Sequence, residues 1–287
     1  MYYALIFLTT IMFGGCFALN DIFRKIRGSS IRISLEFSLI SSVAGMVVLF
    51  LINGFNLEFT PFTLITALLA TVCSLALTFC TFKALDRINL SAYSLFSMLG
   101  GMVLPFLQGI IFYDEKMTLT KWLCLILITA ALFLTVEKGE RKKGAIYYAL
   151  VFILNGTWSV CSKYFTEADF AKTSTVGYSN LICICTIVIS AVLLLTVYRR
   201  KPDEEKCSLK GIAVGAAVGI LNKIANLILL IALIHVEASV QYPMVTGGVM
   251  IVSTFISLFG AKKPSKKEIL SVFVAFVGLF LLFAIPT

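Results

Sequence analysis

Charged residues are scarce in this 287-residue chain: Asp, Glu, Lys and Arg together make up 14% of it. Soluble domains carry about 25% charged residues, and a chain with so few cannot cover its surface with them. Hydrophobic residues reach 59%, against about 45–50% in soluble proteins. The composition excludes an ordinary soluble globule and predicts that lipid surrounds most of the chain.

The motifs on which many enzymes and pumps depend are also missing. The chain has one His and contains no HExxH, GxSxG or P-loop sequence. Its eight Cys form no CxxC pair, and seven of them lie inside apolar runs, where thiols usually pack as small hydrophobic groups. We therefore predict no enzyme activity, no ATP-driven transport, no metal site and no bound cofactor.

Ten apolar runs have about the length needed to cross a bilayer, which is roughly 20 residues. Polar or helix-breaking residues such as Asn53-Gly54, Pro202 and Pro264 separate them. The predicted spans are residues 2–19, 33–52, 62–85, 90–113, 121–136, 145–163, 175–198, 209–234, 238–260 and 268–285. The sequence predicts an all-α, polytopic membrane protein with ten transmembrane helices.

The second half of the chain repeats the first at an offset of about 145 residues. The repeated segments are Tyr2-Tyr3-Ala4-Leu5 with Tyr147-Tyr148-Ala149-Leu150, and Gly100-Gly101 with Gly247-Gly248. The pattern predicts two five-helix repeats, residues 1–137 and 145–287, joined by a linker at residues 138–144.

Because each repeat has an odd number of helices, the second repeat crosses the membrane in the opposite orientation to the first. The distribution of positive charges among the loops agrees with this inversion. Of 24 Lys and Arg residues, 19 fall in the odd-numbered predicted loops and four, Lys116, Lys121, Lys163 and Lys172, fall in or at the edge of the even-numbered ones. By the positive-inside rule, the odd loops and the 138–144 linker are cytoplasmic and both termini are extracytoplasmic. We expect a multi-pass protein of the cell (plasma) membrane. Inverted repeats of this kind are typical of secondary transporters.

Short motifs recur near the fourth and ninth spans. The first half contains Ala84-Leu85, Ser91-Ala92, Pro105 and Glu115-Lys116-Met117-Thr118, and the second contains Ala232-Leu233, Ala238-Ser239 and Pro243. These segments resemble the drug/metabolite transporter superfamily, specifically its ten-helix EamA-like family. Two positions depart from that family: Ala261-Lys262 replaces its Glu, and Glu36-Phe37 stands where many members have Arg-Phe. The resemblance implies alternating access through a central cavity lined by spans 1, 3, 4, 6, 8 and 9.

Lys223 is the most informative single residue, because it lies near the middle of the eighth span. A charge at the bilayer centre costs about 2.5–3.5 kcal/mol on insertion scales, so its side chain should face protein or water. Asn222 and Asn226 lie within 100° of it around the helix. We predict that the three residues bind substrate. A structural ion pair or hydrogen bonds to neighbouring spans are the alternative.

Glu36 is the second charge inside a predicted span. It is a candidate to take up a proton, to bind a cation or to pair with Lys223. The alternative is a salt bridge to Arg32, four residues earlier on the same helix face. Coupling to a proton gradient is a hypothesis that depends on Glu36 and on the missing nucleotide site.

Further candidate substrate-binding residues share helix faces in three other spans. They are Ser94, Ser97 and Gln108 in the fourth, Asn155 and Trp158 in the sixth, and Tyr242 and Thr246 in the ninth. Trp158 can stack on a cationic substrate. Packing of small residues in the fourth span, and of Trp158 itself, is the alternative.

Together these residues predict a secondary transporter that exports an amino acid or a related metabolite. Lys223 would bind the carboxylate, and Glu36 the ammonium group. The alternative is a transporter of organic cations, choline-like or drug-like amines, that uses Glu36, Trp158 and Tyr242. The expected partners are the solute and the lipid bilayer, without nucleic acid, and the chain acts as a monomer or homodimer. A channel or a purely structural bundle is a further possibility.

Overall fold

A computed structural model describes residues 2–87, 90–113, 118–135, 141–198, 208–236, 238–258 and 265–284. These residues form ten α-helices and no β-strand. The helices are α1 (Tyr2–Arg27), α2 (Ile31–Ile52), α3 (Pro61–Leu85), α4 (Leu90–Phe112), α5 (Leu119–Thr135), α6 (Arg141–Glu167), α7 (Thr175–Thr196), α8 (Leu209–Leu233), α9 (Ala238–Leu258) and α10 (Lys266–Ala284). The prediction of an all-α chain is confirmed.

Five of these helices, α1, α2, α3, α7 and α8, are long and apolar enough to cross a membrane. Each has 22 to 26 residues, and at 1.5 Å per residue it spans the roughly 30 Å of a hydrocarbon core. Large apolar side chains such as Val47, Val72 and Val188 remain exposed on the outer faces. The protein is therefore helical and membrane-embedded.

The first helix is eight residues longer than the sequence predicted, ending at Arg27 instead of residue 19. Ion pairs hold the added turns together: Asp21 pairs with Arg24 at 2.8 Å and with Lys25 at 2.6 Å. Arg24 also reaches Asp86 beyond α3, at 2.7 Å. The helix ends before Gly28, whose φ of 93° is the left-handed conformation common at helix C-termini.

Lys163 is placed differently from its predicted position in a loop, because α6 continues to Glu167. Its side chain is fully buried, and its Nζ lies 3.3 Å from the backbone oxygen of Pro105. The ammonium also lies 5.4 Å from the centre of the Tyr113 ring. Lys163 therefore joins α6 to α4 and does not report on membrane orientation as an exposed loop lysine would.

The helix packing has a two-fold pattern. Helix α1 packs on α8 and α9, and its counterpart five helices later, α6, packs on α3 and α4. Helix α2 contacts α7 and α8, α7 contacts α2 and α3, and α5 pairs with α10. Exchanging the first five helices for the last five leaves this set of pairs unchanged.

Glycines allow two of these helix pairs to touch backbone to backbone. A Cβ atom at Gly100 would lie 1.9 Å from the backbone oxygen of Phe152, where α4 meets α6. One at Gly219 would lie 2.0 Å from the backbone oxygen of Ser41, where α8 meets α2. Close approach through small residues is a common way for helices to associate in membranes.

The loop between α2 and α3 is tied to the start of α7 by Glu58. Its carboxylate accepts hydrogen bonds from the Ser174 hydroxyl at 2.6 Å and from the Ser174 backbone N–H at 2.5 Å. These bonds hold the pKa of Glu58 below its usual value. Because Ser174 is also the N-cap of α7, the loop and the helix start are fixed together.

Candidate functional site

A cavity of about 190 Å³ lies inside the helix bundle. This volume is many times what a single water needs, so the cavity has room for a small solute. Residues of α1, α2, α3, α4, α6, α7, α8 and α9 line it. The resemblance implied six of these helices, and the structure adds α2 and α7. In the described part of the chain, α5 and α10 contribute no lining residue.

The structure brings seven of the eleven predicted site residues to this cavity. They are Ser97 from α4, Asn155 and Trp158 from α6, Asn222, Lys223 and Asn226 from α8, and Thr246 from α9. These residues come from both halves of the sequence. The wall of the cavity is therefore built where the two predicted repeats meet.

Lys223 is half-buried in the middle of α8, and its stem crosses α2 at Gly45. A Cβ atom at Gly45 would lie 2.5 Å from Lys223 Cγ and 3.1 Å from the backbone oxygen of Gly219. The ammonium interacts with the thiol of Cys183 on α7. Among the residues that the structure describes, no carboxylate lies within 4 Å of it. The described wall of the cavity thus has a cation with no acidic partner.

Two of the predicted amides are held by short hydrogen bonds. Asn226 Nδ2 donates to the backbone oxygen of Asn222 at 2.8 Å and to its Oδ1 at 2.9 Å. Asn155 Nδ2 donates to the backbone oxygen of Ser97 at 2.5 Å, which links α6 to α4. Both amides have therefore used donor capacity within the protein, and their carbonyl oxygens have capacity left to accept.

Hydroxyl groups of the cavity wall also donate their hydrogens within the protein and keep oxygens that can accept. Ser41 donates to Ser38 O at 3.2 Å, and Thr78 donates to Ser74 O at 2.9 Å. The hydroxyls of Thr186 and Thr246 donate to Ile182 O at 2.7 Å and to Met98 O at 3.2 Å. A hydroxyl has one hydrogen and two lone pairs, so these oxygens can still accept. The wall combines one cation with many acceptors, which suits a ligand that carries an anionic group and several donors.

Glu36 lies at an ion-pair cluster between α1 and α2 and does not reach Lys223. Its carboxylate is 2.8 Å from Arg27 and 3.0 Å from Arg32. The alternative interpretation, a salt bridge to Arg32, is what the structure shows, with Arg27 added to it. This position gives no support to the prediction that Glu36 binds the ammonium group of a substrate.

Three other predicted residues do not contribute to the described cavity wall. Ser94 is fully buried, and its Oγ lies 2.9 Å from Ser253 Oγ, which joins α4 to α9. Gln108 is buried farther along α4, and its Oε1 has no hydrogen-bond partner among the described residues. The side chain of Tyr242 lies outside the described residues, as do Asp114, Glu115 and residues 138–140 of the predicted linker, whose remaining residues 141–144 form the start of α6.

Sequence reasoning missed the polar residues that α2 and α3 contribute to the cavity. Ser38, Ser41 and Ser42 come from α2, and Ser74, Thr78 and Thr81 come from α3. Their spacing of three or four residues was a signal, since it places each set on one helix face. Ser and Thr are common in membrane helices because they donate to their own backbone, which makes such a stripe easy to overlook.

Two groups of buried rings lie near the cavity. The first aromatic cluster is Phe23, Phe37 and Phe82, with ring centres 4.8 to 5.8 Å apart. The second aromatic cluster is the stacked pair Phe165 and Tyr178, at 4.0 Å. Phe37 and Phe82 line the cavity, and so does Trp158, which packs against the buried group that includes Phe165 and Tyr178. The cavity therefore touches the first cluster, and Trp158 links its wall to the buried group that contains the second.

Replacing Glu36 by Gln tests its structural role. Because the carboxylate holds Arg27 and Arg32 with little solvent exposure, we expect the free energy of unfolding to fall by about 1–3 kcal/mol. Thermal unfolding of the purified protein in detergent measures this loss. If the chain transports a solute as the sequence predicts, the response of that transport to a pH gradient in proteoliposomes should be unchanged. Loss of that response would instead identify Glu36 as the residue that couples transport to protons.

No family model matches the chain, and no curated protein is similar to it. Among solved structures, one described only as a crystal structure of a protein is similar over nearly its whole length. The alignment covers 98% of this chain and 97% of that one, with a TM-score of 0.70 and 17% sequence identity. At this identity the likeness shows the shared helical fold and nothing about activity.

Proposed function

We propose that this chain is a secondary active transporter of a small organic solute. It would belong to the EamA-like family of the drug/metabolite transporter superfamily and work by alternating access. The observation that carries the proposal is Lys223, a cation half-buried in a central polar cavity and without a carboxylate beside it among the described residues. Ionisable residues inside a membrane are costly, and they usually mark a substrate or ion pathway.

An inverted repeat with ten spans is part of the proposal, and equivalent contacts in the two halves support it. Gly101 of α4 faces Asn155 of α6, since a Cβ at Gly101 would lie 2.9 Å from Asn155 Nδ2. Gly248 of α9 faces Thr10 of α1, with a corresponding distance of 2.6 Å to Thr10 Cγ2. The sequence repeat relates Gly101 to Gly248 and Thr10 to Asn155. We propose that both termini are extracytoplasmic and that the protein acts in the plasma membrane.

The charge and hydrogen-bonding capacity of the cavity favour an amino acid or a related metabolite as the solute. Lys223 would bind the carboxylate, as a charge-assisted hydrogen bond is stronger than a neutral one. The oxygens of Asn155, Thr186 and Thr246 would accept from an ammonium or hydroxyl group. In this arrangement the wall oxygens bind the ammonium group, for which the sequence predicted Glu36. The Glu36 carboxylate is instead paired with Arg27 and Arg32.

Transport of organic cations is the second candidate, and Trp158 is the observation that favours it. The half-buried ring lines the cavity, and aromatic faces attract quaternary amines. Lys223 lies in the same cavity and would repel such a ligand. The amino-acid proposal therefore fits the site better. In either case we propose transport without a bound cofactor, driven by an ion gradient such as that of protons, by a monomer or homodimer.

A thermal-stability screen of the purified chain in detergent tests the proposal. The probes are L-amino acids, choline and nucleobases at millimolar concentration. Ligand at about 100 times its Kd stabilises the folded state by about 2.7 kcal/mol, so an amino acid that binds should raise the unfolding temperature by several degrees. Stabilisation by choline alone would favour the cation transporter, and the absence of any stabilisation would contradict both proposals.

A further inference from the structure

The central cavity contains a positive charge that nothing in its described wall neutralises. Of the described residues that line it, Lys223 alone has a formal charge, and the rest are hydroxyls, amides, thiols, aromatics and aliphatics. Three acidic side chains elsewhere in the described part of the chain have their own partners. Asp21, Glu36 and Asp86 are paired with arginines at 2.7 to 3.0 Å.

The surroundings of the cavity make this charge costly in an empty transporter. Phe37 and Phe82 of the first aromatic cluster line the cavity together with Trp158, and Phe23, Phe82, Phe165 and Tyr178 are all almost completely buried. A transporter that alternates between its two openings passes through a state in which both ends are closed. In that state an empty cavity would hold the ammonium away from bulk water and without an opposite charge, which a low-dielectric interior strongly disfavours.

A bound carboxylate changes this situation, because it converts the lone ammonium into an ion pair. The acceptor oxygens of the wall can then satisfy the donors of the same solute. Buried charges are tolerated when they are paired and hydrogen-bonded. The loaded transporter should therefore pass through its closed state much more readily than the empty one.

We propose that the transporter is an obligatory exchanger, which changes orientation only when a carboxylate occupies Lys223. Each solute that leaves is then replaced by another carboxylate-bearing solute from the opposite side. This inference rests on the proposed transport function. It specifies exchange as the mode of that transport. It also assigns Lys223 as the residue that prevents the empty transporter from reorienting to the opposite side of the membrane.

The test uses the full chain in proteoliposomes loaded with a uniformly carbon-14-labelled mixture of L-amino acids, in chloride-free buffer. Release of label is followed into buffer alone and into buffer that contains the unlabelled amino acids. We expect the external amino acids to accelerate release about tenfold. An acceleration of less than threefold would overturn the exchange mechanism while leaving transport intact. Release no faster than from protein-free liposomes in both buffers would overturn the proposed function itself.

Lys223→Gln tests whether the charge causes the exchange, since Gln keeps a donor but is neutral. The variant is assayed at a tenfold higher amino-acid concentration, because it should bind more weakly. We expect any residual release to be independent of external amino acids. A wild-type acceleration in this variant would overturn the role of Lys223. Lys210→Gln, at an exposed position near the start of the same helix, is the matched control and should keep the wild-type acceleration. If Lys223→Gln releases no label, the exchange mechanism is decided by the wild-type protein alone, from its release with and without external amino acids.

Discussion

Replacing Lys223 by Ala is expected to lower amino-acid uptake into proteoliposomes by about 100-fold. The variant loses the one formal charge of the described cavity wall, and removing one partner of a buried charged pair typically costs about 2–5 kcal/mol. Since 1.4 kcal/mol corresponds to a tenfold change in affinity, a loss near 3 kcal/mol gives roughly this factor. The effect should appear as weaker substrate affinity, measured from the concentration dependence of initial uptake rates.

Two comparisons separate this effect from general damage to the fold. Lys210→Ala removes a lysine from an exposed position of the same helix and should leave uptake within twofold of wild type. Choline uptake, if the protein transports cations, should persist or increase in Lys223→Ala, because the repelling charge is gone. Amino-acid uptake within threefold of wild type in Lys223→Ala would contradict a carboxylate-binding role for this residue.

Several helix starts were predictable from the sequence because local chemistry determines them. Thr60, Ser174 and Ser208 each cap a helix, and each side-chain oxygen accepts a hydrogen bond from a backbone N–H three residues later. Ser and Thr are strong N-caps. Helices α3, α7 and α8 accordingly begin within one residue of the predicted positions. Signals of this kind need no knowledge of tertiary contacts.

The central cation could also be predicted, because a charge in the middle of an apolar run has few explanations. The pair between Glu36 and Arg27 could not be predicted, since Arg27 lies in α1 and α1 was predicted to end at residue 19. The length of α1 itself depends on Asp86, which is 62 residues from Arg24 in sequence. Ion pairs between distant segments leave no periodic pattern, so sequence reasoning offered the local pair of Glu36 with Arg32 and missed its second partner, Arg27.

The faces of the helices were the hardest feature to predict. In a soluble helix, the apolar stripe marks the buried side, but lipid makes both the outside and the packed interior apolar. Helix α2 illustrates this point: Val47 and Leu51 face outward, while Ser38 and Ser42 are buried. Apolar residues occur on both faces of this helix, since Leu35, Phe37 and Leu49 are buried too, so the small and polar residues mark the inward face more clearly. The same pattern makes Gly45 and Gly219 important for where α2 and α8 meet.

Gly219→Ala is expected to destabilise the protein severely, with much lower yield and a lower unfolding temperature in detergent. The new Cβ would lie 2.0 Å from Ser41 O and 2.6 Å from Ser41 C, which are backbone atoms of α2 and cannot rotate away. Helices α2 and α8 would have to separate, and overpacking of this kind costs about 1–3 kcal/mol or more. Since Asn222 and Lys223 follow on the same helix, the shift should also weaken substrate binding.

A graded series of glycine variants distinguishes this contact from a general effect of replacing glycine. At Gly15 a Cβ would meet nothing within 4 Å, so Gly15→Ala should be neutral or stabilising by up to about 1 kcal/mol, the difference in helix propensity. At Gly215 it would meet the Ile40 side chain at 3.1 Å, which can adjust, so a small loss is expected. Unfolding temperatures should therefore fall in the order Gly15→Ala, Gly215→Ala, Gly219→Ala. Equal stability of the first and last variants would show that α2 and α8 do not meet through their backbones at Gly219, and the position of Lys223 in the cavity would then have to be assigned differently.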